Sequence, residues 1–193
     1  LLFVLHHTLP NICLYFAAYP NLKLINLIRH PIELVYSWYK EGLHERSVNE
    51  SFNFWPNCSG DLGPIPWYAI DWKNEFESIS GVDRIIKSIS HLNCLQEKSL
   101  VTLSKTQKQQ ILTIKYEEVV ENTFNVIDKI GSFLETEPHE NIYMVLQRED
   151  CPRHCSSKEH IKKEKYILSR TTPKYREILN EIMDDYNSQG NSQ

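Results

Sequence analysis

The chain has 193 residues, 41% hydrophobic and 24% charged, which is enough apolar material for one domain with a real core and too much for a disordered chain. Its net charge of −4 excludes a general nucleic-acid or acidic-membrane binder, so an anionic ligand has to meet a local group of cations. No stretch approaches the roughly 18 apolar residues of a membrane span, and no signal peptide is recognisable.

The first residue is Leu1, inside the apolar run Leu1–Leu5. The chain therefore reads as a fragment or a processed form, and an anchor or targeting segment upstream is compatible with it. Its compartment stays open between cytoplasm and Golgi lumen. The five cysteines are too few and too dispersed for a disulfide scaffold. Cys151 and Cys155 are either a local disulfide or two free thiols. Asn49-Glu-Ser51 and Asn57-Cys-Ser59 fit the glycosylation pattern, which matters only in a secretory chain.

Leu22–Ile28 is almost wholly apolar and lies between Pro20-Asn21 and Arg29-His30-Pro31, which predicts a buried, parallel strand. Pro31 suits the first turn of a helix, where its missing N–H is not needed. Ile32–Glu41 continues that helix and Gly42 ends it. Glu45–Trp67, rich in Asn, Ser, Pro and Gly with interleaved aromatics, predicts a long loop or lid.

Asp71–Ser80 and Val82–Leu95 predict helices, the second with Val82, Ile85, Ile86, Ile89 and Leu92 on one face. Gln110–Tyr116 is a second buried strand. Glu117–Leu134 is a helix with Val120, Phe124, Ile127 and Ile130 inward. Thr172-Pro173 opens the last helix, whose apolar positions run from Tyr175 to Tyr186. Strands alternating with helices predict an α/β layer fold. Residues 1–186 are expected to form a single domain, with 187–193 as a polar tail.

The most informative stretch is LKLINLIRHPIELVYSWYK, residues 22–40. An arginine leaves the end of a strand, a His-Pro turn follows, and the next helix carries Ser37. Open α/β sheets bind ligands at the carboxyl ends of their strands. The planar fork of Arg29 suits a phosphate, and Ser37, two turns along the helix, shares the face of residues 30, 33 and 34. A plain Arg29–Glu33 ion pair would explain the same residues without a ligand.

This stretch resembles the 3′-phosphate-binding motif of sulfotransferases that use 3′-phosphoadenosine 5′-phosphosulfate (PAPS). In that family a strand runs into Arg, then a residue and Pro, with Ser eight positions after the Arg; Arg29, Pro31 and Ser37 match. Ile111–Leu134 is similar to the family's strand, Tyr-Glu-Asp/Glu and helix unit. Gly63–Arg84, with its Pro-Trp-Tyr-Ala stretch, resembles a broad sulfotransferase group. The three blocks stand in the family's order, while the C-terminal region resembles it only loosely.

The resemblance implies a P-loop-NTPase-like three-layer fold, a central parallel sheet flanked by helices and incomplete at the N-terminus. It also implies PAPS as co-substrate, sulfonate transfer to a hydroxyl or amine of a small-molecule or carbohydrate acceptor, and no metal. Such transfer needs a base for the acceptor's proton, and histidine suits the task. His7 is the preferred base and His6 the next, since the family's cytosolic branch has its histidine at about this interval before the arginine. The register of His-His-Thr-Leu-Pro against the family's Thr-His-Leu-Pro is inexact, and Glu41, His44 and Glu45 are rivals. Trp67 and Tyr68 are the acceptor-binding candidates among the aromatics.

The family's Gly-rich loop for the 5′-phosphosulfate is not found among these residues, whose six glycines are dispersed. Its late Arg-Lys-Gly contact to the 3′-phosphate is not evident either. Arg148, Arg153, Lys158, Lys162 and Lys163 form a basic cluster in that region. Cys151, His154, Cys155 and His160 have loose spacing for zinc and lack a matching second pair. Two other functions stay open: a P-loop-class transferase or kinase, which would need a Walker loop and Mg²⁺ carboxylates, and an inactive sulfotransferase-like binding module.

Overall fold

A computed structural model of the chain describes residues 2–43, 57–61 and 63–188. The elements are α1 (Ile12–Ala18), β1 (Leu24–Ile28), α2 (Pro31–Lys40), β2 (Asn57–Gly60), β3 (Gly63–Pro66), α3 (Lys73–Ser78), α4 (Gly81–Val101), α5 (Lys105–Gln109), β4 (Ile111–Lys115), α6 (Tyr116–Glu121), α7 (Thr123–Leu134), α8 (Ile142–Arg148), α9 (Ser157–Leu168) and α10 (Pro173–Ser188). Short 3₁₀ turns cover Leu9–Asn11 and Trp67–Trp72. The fold is mixed α/β and mostly helical, with a small parallel sheet.

The chain divides into two compact units, Leu1–His30 with Gln96–Glu159, and Pro31–Leu95 with His160–Gln193. In the first unit β1 and β4 pair in parallel, from Leu24 opposite Ile111 to Ile28 opposite Lys115. Leu9, Ile12, Phe16 and Leu103 bury against Leu22, Leu24 and Ile111 to make its core. The expectation of a buried strand does not hold for β1, where Leu24, Asn26 and Ile28 are only half-buried. Ile25 and Leu27 are 37% and 55% exposed, because among the described residues the parallel sheet has two strands and nothing covers that face of β1.

The expected single helix from Glu117 to Leu134 is two, α6 and α7. Asn122 (φ −117°, ψ 41°) leaves the helical region between them, and the Thr123 hydroxyl donates to Val119 O at 2.6 Å. The break resets the helical phase. Thr123 and Val126 turn inward with Val120, while Phe124, expected inside, is 48% exposed.

The second unit is built on α2, α4, α9 and α10. Ile32, Val35, Val82, Ile85, Ile86, Ile89, Ile167, Tyr175, Leu179 and Ile182 form one buried cluster, which includes four of the five residues predicted for the α4 face. The fifth, Leu92, packs in a neighbouring cluster with Ile65, Tyr68, Ala69 and Phe76. Gly42 follows α2 with φ 70°, a left-handed conformation that costs glycine nothing and that stops the helix where expected.

Residues 45–56 and 62 of the expected lid lie outside the described residues, as do 189–193 of the tail. The lid's later part is a hairpin, with Cys58 opposite Ile65. The predicted helix at Asp71–Ser80 is shorter, a 3₁₀ turn running into α3. Four further helices, α1, α5, α8 and α9, were not anticipated. Three of them, α1, α5 and α8, are a turn or two long and carry too few residues for a periodic signal.

Candidate functional site

Because Ile28 stands opposite Lys115 in the parallel pair, the next residues, Arg29 and Tyr116, leave the same end of the sheet. The Arg29 guanidinium carbon lies 5.0 Å from the centroid of the Tyr116 ring, a stacking distance at which cation and ring attract. One residue further on, the His30 amide donates to Glu117 Oε1 at 3.0 Å. Both strands are thus tied together where they end. This is the carboxyl end of a parallel pair, the position from which α/β sheets address ligands.

Arg153 joins the same group. Its Nη2 donates to the Tyr116 hydroxyl at 3.3 Å, and its Nη1 donates to Glu149 O at 2.7 Å. Its backbone amide donates to Val120 O at 2.9 Å. The sequence named Arg153 within a basic cluster and quoted Tyr116-Glu117 only as part of a motif. Neither role was legible without the strand register that brings residues 29 and 116 together.

His6 and His7 follow residues 2–5, which form no regular secondary structure, in the first unit. His7 takes φ 52°, the left-handed region that costs a residue with a Cβ and that is held only by surrounding structure. Its imidazole is pushed down to about 4, mainly by burial and further by His6. The two rings have centroids 6.5 Å apart. At neutral pH His7 is uncharged, the form in which an imidazole takes up a proton.

Ser37 belongs to the second unit, on α2. Proline at its first position, with Ile32 and Val35 buried against the core, fixes that helix. Glu33 has close partners within its own unit: Lys163 Nζ at 2.7 Å and His160 Nδ1 at 3.2 Å. Lys163 and His160 are therefore engaged with a half-buried carboxylate.

Tyr68 is 5% exposed and belongs to a core cluster. Burial lifts its hydroxyl to about 12, although a hydrogen bond with Ser88 acts the other way. Trp67 is half-buried and packs edge-on against Tyr68, with ring centroids 5.8 Å apart. Of the pair, Trp67 has the more accessible surface.

Cys151 and Cys155 are not joined in a disulfide. The Cys155 amide donates to Glu121 Oε1 at 3.0 Å, and His154 Nδ1 lies 3.5 Å from the same oxygen. Arg148 pairs with Glu149 at 2.9 Å. Lys158 and Lys162 are exposed. Glu41 is exposed just past the end of α2, while His44 and Glu45 lie outside the described residues.

No curated protein and no solved structure matches the chain. The family described as Sulfotransferase domain does, over residues 2–181. That span takes in the Arg29 strand end, the Tyr116-Glu117 turn and most of α10, so the match covers nearly the whole of both units. The chain belongs to the sulfotransferase domain family.

Proposed function

We propose that the chain carries the 3′-phosphate-binding and acceptor-binding part of a sulfotransferase that takes its sulfonate group from PAPS. Arg29 and Ser37 hold the 3′-phosphate, Arg29 through its planar fork and Ser37 through its hydroxyl. His7 takes the proton from the acceptor's hydroxyl or amine. The acceptor's lone pair then forms the new bond to sulfur, the bond from sulfur to the bridging oxygen breaks, and its electron pair leaves with the 3′,5′-bisphosphate. Nothing in this sequence of steps makes a covalent bond to the protein.

The observation that carries the reading is Arg29 at the carboxyl end of β1 in a member of the sulfotransferase family. Its guanidinium is set against Tyr116 at the adjoining strand end. His7 is unprotonated at neutral pH, as a base must be, while the burial that keeps it so also lowers its basicity. The β1–β4 pair is read as part of a larger P-loop-like parallel sheet with helices on both faces, for which the exposed apolar face of β1 is suited. Trp67 contributes to the wall of a pocket for a small-molecule or carbohydrate acceptor, and Tyr68 supports it from the core.

The test is calorimetric titration of the full-length protein with 3′-phosphoadenosine 5′-phosphate. Adenosine 5′-monophosphate and an Arg29→Ala variant are the controls. Binding that requires both the 3′-phosphate and Arg29 is expected. A folded full-length protein that binds neither nucleotide, or that binds both alike with and without Arg29, removes the donor assignment.

A further inference from the structure

We infer that Arg153 is a positioning residue for Arg29, acting through Tyr116. The inference rests on the assignment of Arg29 to a phosphate.

Arginine carries a long side chain with several rotatable bonds, and one that is to grip a phosphate loses affinity for every rotamer in which it points elsewhere. The Tyr116 ring limits that freedom by offering the Arg29 guanidinium a flat surface 5.0 Å from its centroid. A ring does this well only if it is itself fixed. Its base is set by the chain, since Tyr116 is the first residue of α6 directly after β4. Its hydroxyl is set by Arg153 Nη2, 3.3 Å away.

Arg153 in turn is held from three sides. Its Nη1 donates to Glu149 O at 2.7 Å and to Asp150 O at 3.3 Å. These carbonyls follow the C-terminal end of α8, where a cation is electrostatically favoured. Its amide donates to Val120 O in α6 at 2.9 Å. The guanidinium therefore acts as a strut between the end of α8 and the tip of the ring on which Arg29 lies. All of these residues belong to the first unit. Arg153 touches the ring from the hydroxyl end and so influences the phosphate through Arg29.

The experiment is a double-mutant cycle on nucleotide binding in the full-length protein. Tyr116→Phe keeps the ring and deletes only the atom that Arg153 reaches. Arg153→Gln deletes the strut. Each is titrated with 3′-phosphoadenosine 5′-phosphate and with adenosine 5′-monophosphate, beside Arg29→Ala and the double variant, and the thermal midpoint of each protein is recorded.

Each single change is expected to weaken the bisphosphate about threefold to tenfold and the monophosphate by less than about twofold. The double variant should be no weaker than the worse single one. Wild-type affinity in Tyr116→Phe, or losses that multiply in the double variant, overturns the inference while Arg29→Ala keeps the phosphate assignment intact. Equal losses for both nucleotides make Arg153 a purely structural residue. If Arg29→Ala itself fails to distinguish the two nucleotides, the phosphate assignment falls and the inference with it.

Discussion

Arg29, at the end of β1, lies with its guanidinium 5.0 Å from the ring centroid of Tyr116, the residue that follows β4. The pairing joins two residues far apart in sequence at one end of a parallel sheet. It makes the identity of the cation testable apart from its charge. Lysine at position 29 keeps the charge but loses both the planar stack and the two-pronged grip. Arg29→Lys should weaken 3′-phosphoadenosine 5′-phosphate about tenfold and Arg29→Ala further still. Ser37→Ala should cost about fivefold, the share of one hydroxyl. A lysine variant that binds like the wild type would leave charge alone as the requirement.

Asp83 is 2% exposed. It accepts two hydrogen bonds at the start of α10, from the Thr172 amide at 3.1 Å and the Thr172 hydroxyl at 2.9 Å. Truncation would remove the acceptor of both bonds, while the exposed Thr172 keeps access to water. Asp83→Ala is expected to destabilise the protein by about 1–2 kcal/mol, read from denaturant midpoints. Asp83→Asn keeps one acceptor oxygen and should cost about half as much. A loss below about 0.5 kcal/mol in the alanine variant would mean that water replaces the carboxylate.

How far the sequence revealed this depends on the range of the interaction concerned. The β1–α2 stretch was readable because its signals are local: an apolar run, an arginine, a proline at a helix start and a glycine after its end. The α4 face was readable because helical periodicity is local too. Phe124 failed that same logic, since a single non-helical residue, Asn122, shifts the phase of everything after it. Tyr116 and Arg153 were hidden for another reason. Their roles depend on strand register and on which carbonyls lie past the end of α8, and neither is written in spacing. His7 was singled out as a candidate by resemblance to a motif, but its left-handed backbone and its lowered basicity come only from the folded environment.

Glu75 gives the second unit an acid-sensitive joint. Hydrogen bonds from Lys174 and from the Tyr175 hydroxyl hold its carboxyl below its usual value of 4.5, with Lys87 adding a charge 3.8 Å away. A carboxylate whose folded value is depressed binds fewer protons folded than unfolded. Its contribution is present above about pH 4.5 and drains away as pH falls through the folded value. Glu75→Gln should therefore be less stable than the wild type at pH 7, and the gap between their denaturant midpoints should close as pH falls below about 4.5. A gap that stays constant over that range would show that packing, rather than charge, is what Glu75 contributes.

His7 fixes the expected pH dependence of the reaction. Its value of about 4 reflects burial first and the neighbouring His6 second, both of which disfavour the imidazolium. A base must be unprotonated to act, so kcat/KM should fall only as pH drops through the value in the free enzyme. The acid limb is therefore expected near pH 4, well below the ordinary histidine value of 6.5. His6→Gln removes the charge that repels the imidazolium and should move the limb upward. His7→Gln should lower kcat/KM by about 10²–10⁴ and abolish the limb. The same depression has a thermodynamic side. The unfolded chain binds the proton more readily, so between about pH 6.5 and pH 4 the folded state loses stability as pH falls. Imidazole titration by NMR on the full-length protein measures the value directly, and the rate profile shows whether it governs turnover. A limb at pH 6.5 that is unmoved in both variants would assign the proton transfer to a different group, with Glu41 the first to examine.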